Sequence, residues 1–160
     1  MPFTNKTSWR AKLEKPQERK VFDVPVSMRK RCGSGRMLIP RPIDVDAAIR
    51  LVPRGRVATQ AQLRARLAKD AGADVACPIT TGIFVRICSE AAEEDFRIGR
   101  KRVTPYWRVV RDDGNLIGKF PGGSEAQARR LADEGIDVQA GKRGILRVAD
   151  LPRKLVRWST

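Results

Sequence analysis

The chain has 160 residues, 41% of them hydrophobic, with 33 Lys and Arg against 18 Asp and Glu, a net charge of +15 and an isoelectric point near 10.8. That length gives one ordinary domain with a real core, no apolar run approaches a membrane span, and so large a charge points to a polyanionic partner, nucleic acid first. Histidine is absent, which removes Ser-His and Cys-His pairings and histidine-containing zinc sites; the three cysteines lack CxxC spacing, so no metal, cofactor or disulfide framework is expected.

Residues 1–43 carry 11 basic and 3 acidic side chains, residues 44–100 carry 9 and 8, and residues 101–160 carry 13 and 7. The excess therefore lies at the two ends. Met1 to Lys20 is polar and has no apolar h-region, so a cytoplasmic, nucleoid-associated location is the expectation. Residues 1–43 read as a basic N-terminal extension broken by Pro16, Pro25, Pro40 and Pro42. Trp9 and Leu13, four apart, suggest a short helix docked on the body. Met28 to Arg36 reads as a mobile basic loop, either lying along phosphates or serving as a solvated linker.

Asp44 to Val52 reads as a helix N-capped by Asp44, broken by Pro53-Arg54-Gly55. Thr59-Gln60-Ala61-Gln62 is a capping box opening a second helix, with Leu63 and Leu67 inward and Gly72 at its end. Pro78 opens a longer helix to about Ile98, closed by Gly99. Its apolar face is read as Ile79, Ile83, Phe84, Ile87, Cys88 and Ala91. The opposite side, Thr81, Gly82, Val85 and Ser89, is small enough either to approach a nucleic-acid groove or to pack on the N-terminal extension.

Trp107 to Val110 and Leu116 to Phe120 read as strands joined by the Asp112-Asp113-Gly114-Asn115 turn, a small hairpin or wing. Ser124-Glu125-Ala126-Gln127 reads as another capping box, opening a helix to Gly135. Residues 136–160 read as a basic C-terminal extension with a Gly turn at 141–144, a strand at 145–148 and a final helical turn. The fold class is α+β, a helix-turn-helix with a wing over residues 44–135.

Three segments in order carry a resemblance: Val52-Pro53-Arg54-Gly55-Arg56-Val57-Ala58-Thr59, Thr104-Pro105-Tyr106-Trp107-Arg108-Val109-Val110 and Gly118-Lys119-Phe120-Pro121-Gly122-Gly123. From about Asp44 to Gly135 the chain resembles the alkylguanine-DNA alkyltransferase family, most closely its non-catalytic alkyltransferase-like members. In that family the central segment reads Pro-Cys-His-Arg-Val, and its cysteine accepts the alkyl group. Here Tyr106 holds the cysteine position and Trp107 the histidine position. Neither replaces a base-activated thiolate, so no alkyl transfer is expected.

The resemblance implies a base pocket of Tyr106, Trp107, Phe120, Pro121, Gly122 and Gly123, with Tyr106 at its floor. Aromatics beside a strand are as readily core, and that alternative stays open. Pro121 replaces a small polar residue that bonds the base, Gln60 replaces a phosphate-rotating tyrosine, and Ile79 or Thr80 replaces an arginine finger, with Arg86 a poorer substitute. The DNA-facing set is then Arg54, Arg56, Thr59, Gln60, Ile79, Thr80, Thr81, Gly82, Arg86 and Arg108, although Arg108 suits a structural hydrogen-bonding role better.

The function implied is a non-enzymatic, monomeric protein that binds double-stranded DNA in the minor groove, recognises or flips modified bases in the damage response, and recruits repair proteins. The rival is a sequence-independent nucleic-acid-binding module whose old pocket is filled. An enzyme of another class finds no support, because Asp112 and Asp113 are turn residues.

Overall fold

The computed structural model describes residues 8–158. Helix α1 (Trp9–Glu14) starts at Ser8, whose Oγ accepts from Ala11 N at 3.0 Å. Leu13 is 1% exposed, so the short docked helix read from Trp9 and Leu13 is present. Strand β1 (Lys20–Asp23) pairs antiparallel with β2 (Arg36–Ile39), and β2 pairs in parallel with β4 (Val75–Ala76). Between β1 and β2, a 3-10 turn leads into α2 (Arg29–Cys32). The basic loop expected at 28–36 is thus a helical turn followed by the start of a strand.

Helix α3 (Pro42–Arg50) begins earlier than its sequence suggests. Pro42 pre-sets the first turn, so Arg41 takes the N-cap position and Asp44 falls at the third helical residue. The Asp44 carboxylate reaches back to Arg41 N at 3.1 Å and pairs with the Arg41 guanidinium at 2.6 Å. Burial raises its pKa, but these bonds outweigh that and hold it below its usual value.

Helices α4 (Gln60–Asp70) and α5 (Pro78–Arg97) follow as read, with Gly72 and Gly99 in the left-handed region beyond their ends. Thr59 Oγ1 accepts from Gln62 N and Gln62 Oε1 accepts from Thr59 N, both at 3.1 Å, completing the expected capping box.

Only the first turns of α5 depart from the sequence reading. Cys88 and Ala91 are buried and Phe84 and Ile87 pack on the core as read, but Ile79 and Ile83 are each 55% exposed, while Thr81, Val85 and Ser89 on the other side are buried. Small side chains let α5 lie close to α1 and α3, and that close packing outweighs the burial of the two isoleucines.

Strand β3 (Ala58–Thr59) pairs in parallel with β5 (Val109–Val110), directly after the 3-10 turn Tyr106–Arg108. The expected wing at 107–120 does not form. Arg111 N donates to Asn115 O at 2.9 Å in a tight turn, and Leu116 N then turns to Leu146 O. The hairpin is instead β6 (Val138–Ala140) with β7 (Leu146–Val148).

Helix α6 (Gly123–Asp133) has no side-chain cap, so the box expected at Ser124 is absent. Gly122 takes the N-cap position at φ 78°, and a Cβ there would sit 2.7 Å from that of Ala126. Gln127, expected to cap, is buried and faces inward.

Helix α7 (Leu151–Lys154) precedes a C-terminal segment that brackets Val57: Val57 N donates to Lys154 O at 2.9 Å and Val156 N to Val57 O at 2.7 Å. One core joins Leu13 and Leu38 to Leu63, Val109, Leu131 and Val148. The described residues of the two ends, 8–43 and 136–158, therefore pack onto the body, and the boundary at 43/44 falls inside α3.

Candidate nucleic-acid interface

The first turns of α5 end beside an open cleft of about 380 Å³. Its lining comprises Gln60 from α4, Ile79, Gly82, Ile83, Val85 and Arg86 from α5, and Arg111, Ile117, Lys119 and Phe120 from the segment before α6. The exposed isoleucines and Gly82 form one apolar wall. A Cβ on Gly82 would meet nothing within 4 Å, so this glycine leaves open space above the helix. Arg86, Arg111 and Lys119 give the cleft a cationic rim, and its volume lies in the range of small-ligand sites.

Tyr106 is beneath this cleft rather than in its wall. It is 1% exposed and meets Phe120, which does line the cleft, edge-on at 5.1 Å. Its hydroxyl donates to Glu93 Oε1 at 2.5 Å. Burial, reinforced by that bond, holds the phenol well above its ordinary pKa. Trp107 packs edge-on against Tyr106 at 5.3 Å and donates Nε1–H to Glu134 Oε1 at 2.5 Å. Glu134 also pairs with Arg108 Nε at 2.8 Å, and Arg108 Nη1 donates to Val52 O at 2.7 Å.

These contacts sort the expected site residues. Gln60, Ile79, Gly82, Arg86 and Phe120 share the cleft. Tyr106 and Trp107 belong to the core, which corrects the reading that both line the pocket. Pro121, Gly122 and Gly123 lie outside the lining, because the two glycines shape the entry to α6. Arg108 is turned inward onto Glu134, as its structural role requires. Thr59 spends its hydroxyl on the cap of α4. Thr80 is half-buried, its Oγ1 donating to Cys77 Sγ at 3.4 Å, and Thr81 is 3% exposed, so Thr81 does not face outward as expected.

Arg54 Nη2 donates to Asp133 O at 2.6 Å and Arg56 bonds Arg153 O; both tie their loop to neighbouring segments. Sequence reasoning missed Ile83, Arg111, Ile117 and Lys119 as cleft residues. Lys119 and Ile117 flank the Gly118-Lys119-Phe120 segment, and Arg111 abuts the Asp112-Asp113 turn, which were the available signals.

The chain matches no protein-family model and no curated protein. It is similar in structure to S. pombe Atl1, solved in complex with damaged DNA containing O6-carboxymethylguanine, with 19% identity and a TM-score of 0.51 over 72% of this chain and 94% of that one. It is likewise similar to S. pombe ATL in complex with DNA, with 20% identity and a TM-score of 0.53 over the same shares of the two chains. The chain has the fold of the alkyltransferase-like proteins.

Proposed function

We propose that this protein is an alkyltransferase-like DNA-binding protein that holds duplex DNA along the first turns of α5 and reads modified bases at the cleft beside them. The observation carrying this reading is the pairing of an exposed Ile79–Gly82–Ile83 wall with the cationic rim of Arg86, Arg111 and Lys119. Apolar side chains on an open helix face can unstack base steps, while the cations neutralise phosphates. The complexes of the S. pombe proteins with DNA support the choice of ligand. A minor-groove approach by a monomer is part of the proposal.

The reading includes no alkyl transfer. Tyr106 stands at the position of the family's cysteine as a buried, neutral phenol whose proton is held by Glu93. Cys88 is buried, and burial, with Asp46 nearby, pushes its thiol well above the usual value. Such a group is a poor nucleophile.

The test is binding of a fluorescent duplex by the wild type and Ile83→Asp across a salt series. We expect affinity to fall steeply with salt and the variant to bind at least about tenfold more weakly, near 1.4 kcal/mol. Salt-insensitive binding, or a variant equal to the wild type, would remove this face from the interface. The second reading, a module that binds without regard to base modification, draws support from the burial of Tyr106 in the core.

A further inference from the structure

The cleft does not end at α5. It shares Gln60, Gly82 and Val85 with a notch of about 180 Å³ between α4 and α5. That notch shares Arg31, Arg64 and Pro78 with a further hollow of about 250 Å³ that Cys32 also lines. The three make one groove along the helix pair, from Lys119 at one end to the basic turn α2 at the other.

Helix α2 reads Arg29-Lys30-Arg31-Cys32, and its three cations are exposed. None of them pairs with a carboxylate among the described residues, whereas Arg36 and Arg41 nearby pair with Asp23 and Asp44. The turn is fixed in place: Met28 and Cys32 pack against Val24, Met37 and Cys77, and Val24 N donates to Gly35 O at 2.8 Å.

Two carboxylates border the groove, and both are engaged. Asp74 Oδ2 accepts from Arg36 N at 2.8 Å; Asp112 Oδ1 accepts from Ala61 N at 2.9 Å, with Arg64 4.0 Å from its other oxygen. Thr81 lines the notch, and its buried hydroxyl has no partner among the described residues. The groove thus has unneutralised cations at both ends, a pattern that suits a run of phosphates.

We infer that α2 is a phosphate clamp: Arg29, Lys30 and Arg31 hold the sugar-phosphate backbone of the DNA strand that follows this groove away from the cleft. The inference rests on the DNA-binding reading above and adds a contact supplied by the N-terminal region of the chain. A rigid cationic turn at the far end of the groove lengthens the footprint and sets the direction in which the strand leaves.

The test uses the full chain with Arg29, Lys30 and Arg31 all changed to Ala. Binding to an unmodified duplex is measured against salt, beside a melting curve. The clamp predicts an unchanged melting temperature, weaker binding at low salt and a log-log slope shallower by about 0.9 for each phosphate released. A second measurement uses the chain with its native cysteines: duplexes carrying a pyridyl-disulfide tether on single backbone phosphates should exchange with the Cys32 thiol, releasing the pyridinethiol, at a few positions only, and Cys32→Ser should abolish the cross-link. Cys77 and Cys88 are buried and serve as internal controls. Equal slopes for variant and wild type, or no cross-link at Cys32, would overturn the clamp. A wild type that binds no duplex would instead overturn the DNA-binding reading beneath it.

Discussion

The Tyr106 hydroxyl donates to Glu93 Oε1 at 2.5 Å, and the same oxygen accepts from Arg130 Nη2 at 2.9 Å. One carboxylate therefore joins α5, the 3-10 turn at 106–108 and α6. Tyr106 is thus a strut between three elements, roofed by Phe120 and flanked by Trp107. What remains open to a ligand is the cleft on the far side of Phe120.

Tyr106 is the only tyrosine in the chain, so alkaline titration reads this one group. Its folded pKa is raised, first by burial and then by Glu93. A raised value means that the neutral phenol stabilises the fold below the unfolded pKa of about 10, and that this stability is lost as pH rises toward the folded value. Tyrosinate absorbance should therefore appear above about pH 10 together with loss of near-UV circular dichroism. Reversible ionisation near pH 10 in a native spectrum would contradict the buried strut.

Gln127 is 1% exposed and makes three bonds: its Oε1 accepts from Ile117 N at 2.8 Å, and its Nε2 donates to Trp107 O at 3.0 Å and Val109 O at 2.8 Å. Gln127→Ala strands a backbone N–H and two carbonyls, at a cost of about 3 kcal/mol. Gln127→Glu should be at least as harmful, because it aims a carboxylate at two carbonyl oxygens. Chemical denaturation checks both, and a loss below about 1 kcal/mol for Gln127→Ala would show that these three bonds are not in place.

The three cysteines should separate by reactivity. Cys32 is partly exposed, while Cys77 and Cys88 are buried and the Cys88 thiol pKa is raised by burial. A thiol reagent should modify Cys32 alone in the native protein and all three after denaturation. Fast native labelling of Cys88 would place α5 differently.

Alkyl transfer has a direct check. After incubation with duplex containing an O6-alkylguanine, the intact mass of the protein should be unchanged. A stable gain equal to the alkyl group would mean that a nucleophile exists which this structure does not reveal.

The helix boundaries set by Thr59, Pro78, Gly72 and Gly99 were legible because each signal acts within a few residues. The order of helices and the motif segments was legible for the same reason. Other features depend on distant partners. Asp44 looked like a cap until Pro42 started the helix two residues earlier. Ser124 lost its cap because Gly122 takes that position and Gln127 bonds Ile117, Trp107 and Val109 instead.

The first turns of α5 depart from the sequence reading because Ile79 and Ile83 are apolar yet outward, against the usual burial preference, while Phe84, Ile87, Cys88 and Ala91 lie inward as read. Those two exposed isoleucines are what the proposed interface is built on. In the hairpin at 138–148 the Gly turn and the second strand stand where the sequence puts them, whereas β6 has two exposed residues among its three and carries no strong alternation to mark it.

The most direct measurement compares binding to two duplexes that differ only by one O6-alkylguanine, at moderate salt, with Lys119→Ala and Ile83→Asp alongside. If the cleft reads modified bases, the wild type should bind the modified duplex more tightly by about tenfold or more, and the cleft variants should lose that preference while melting normally. Equal affinity of the wild type for both duplexes would contradict base reading and leave a DNA-binding scaffold.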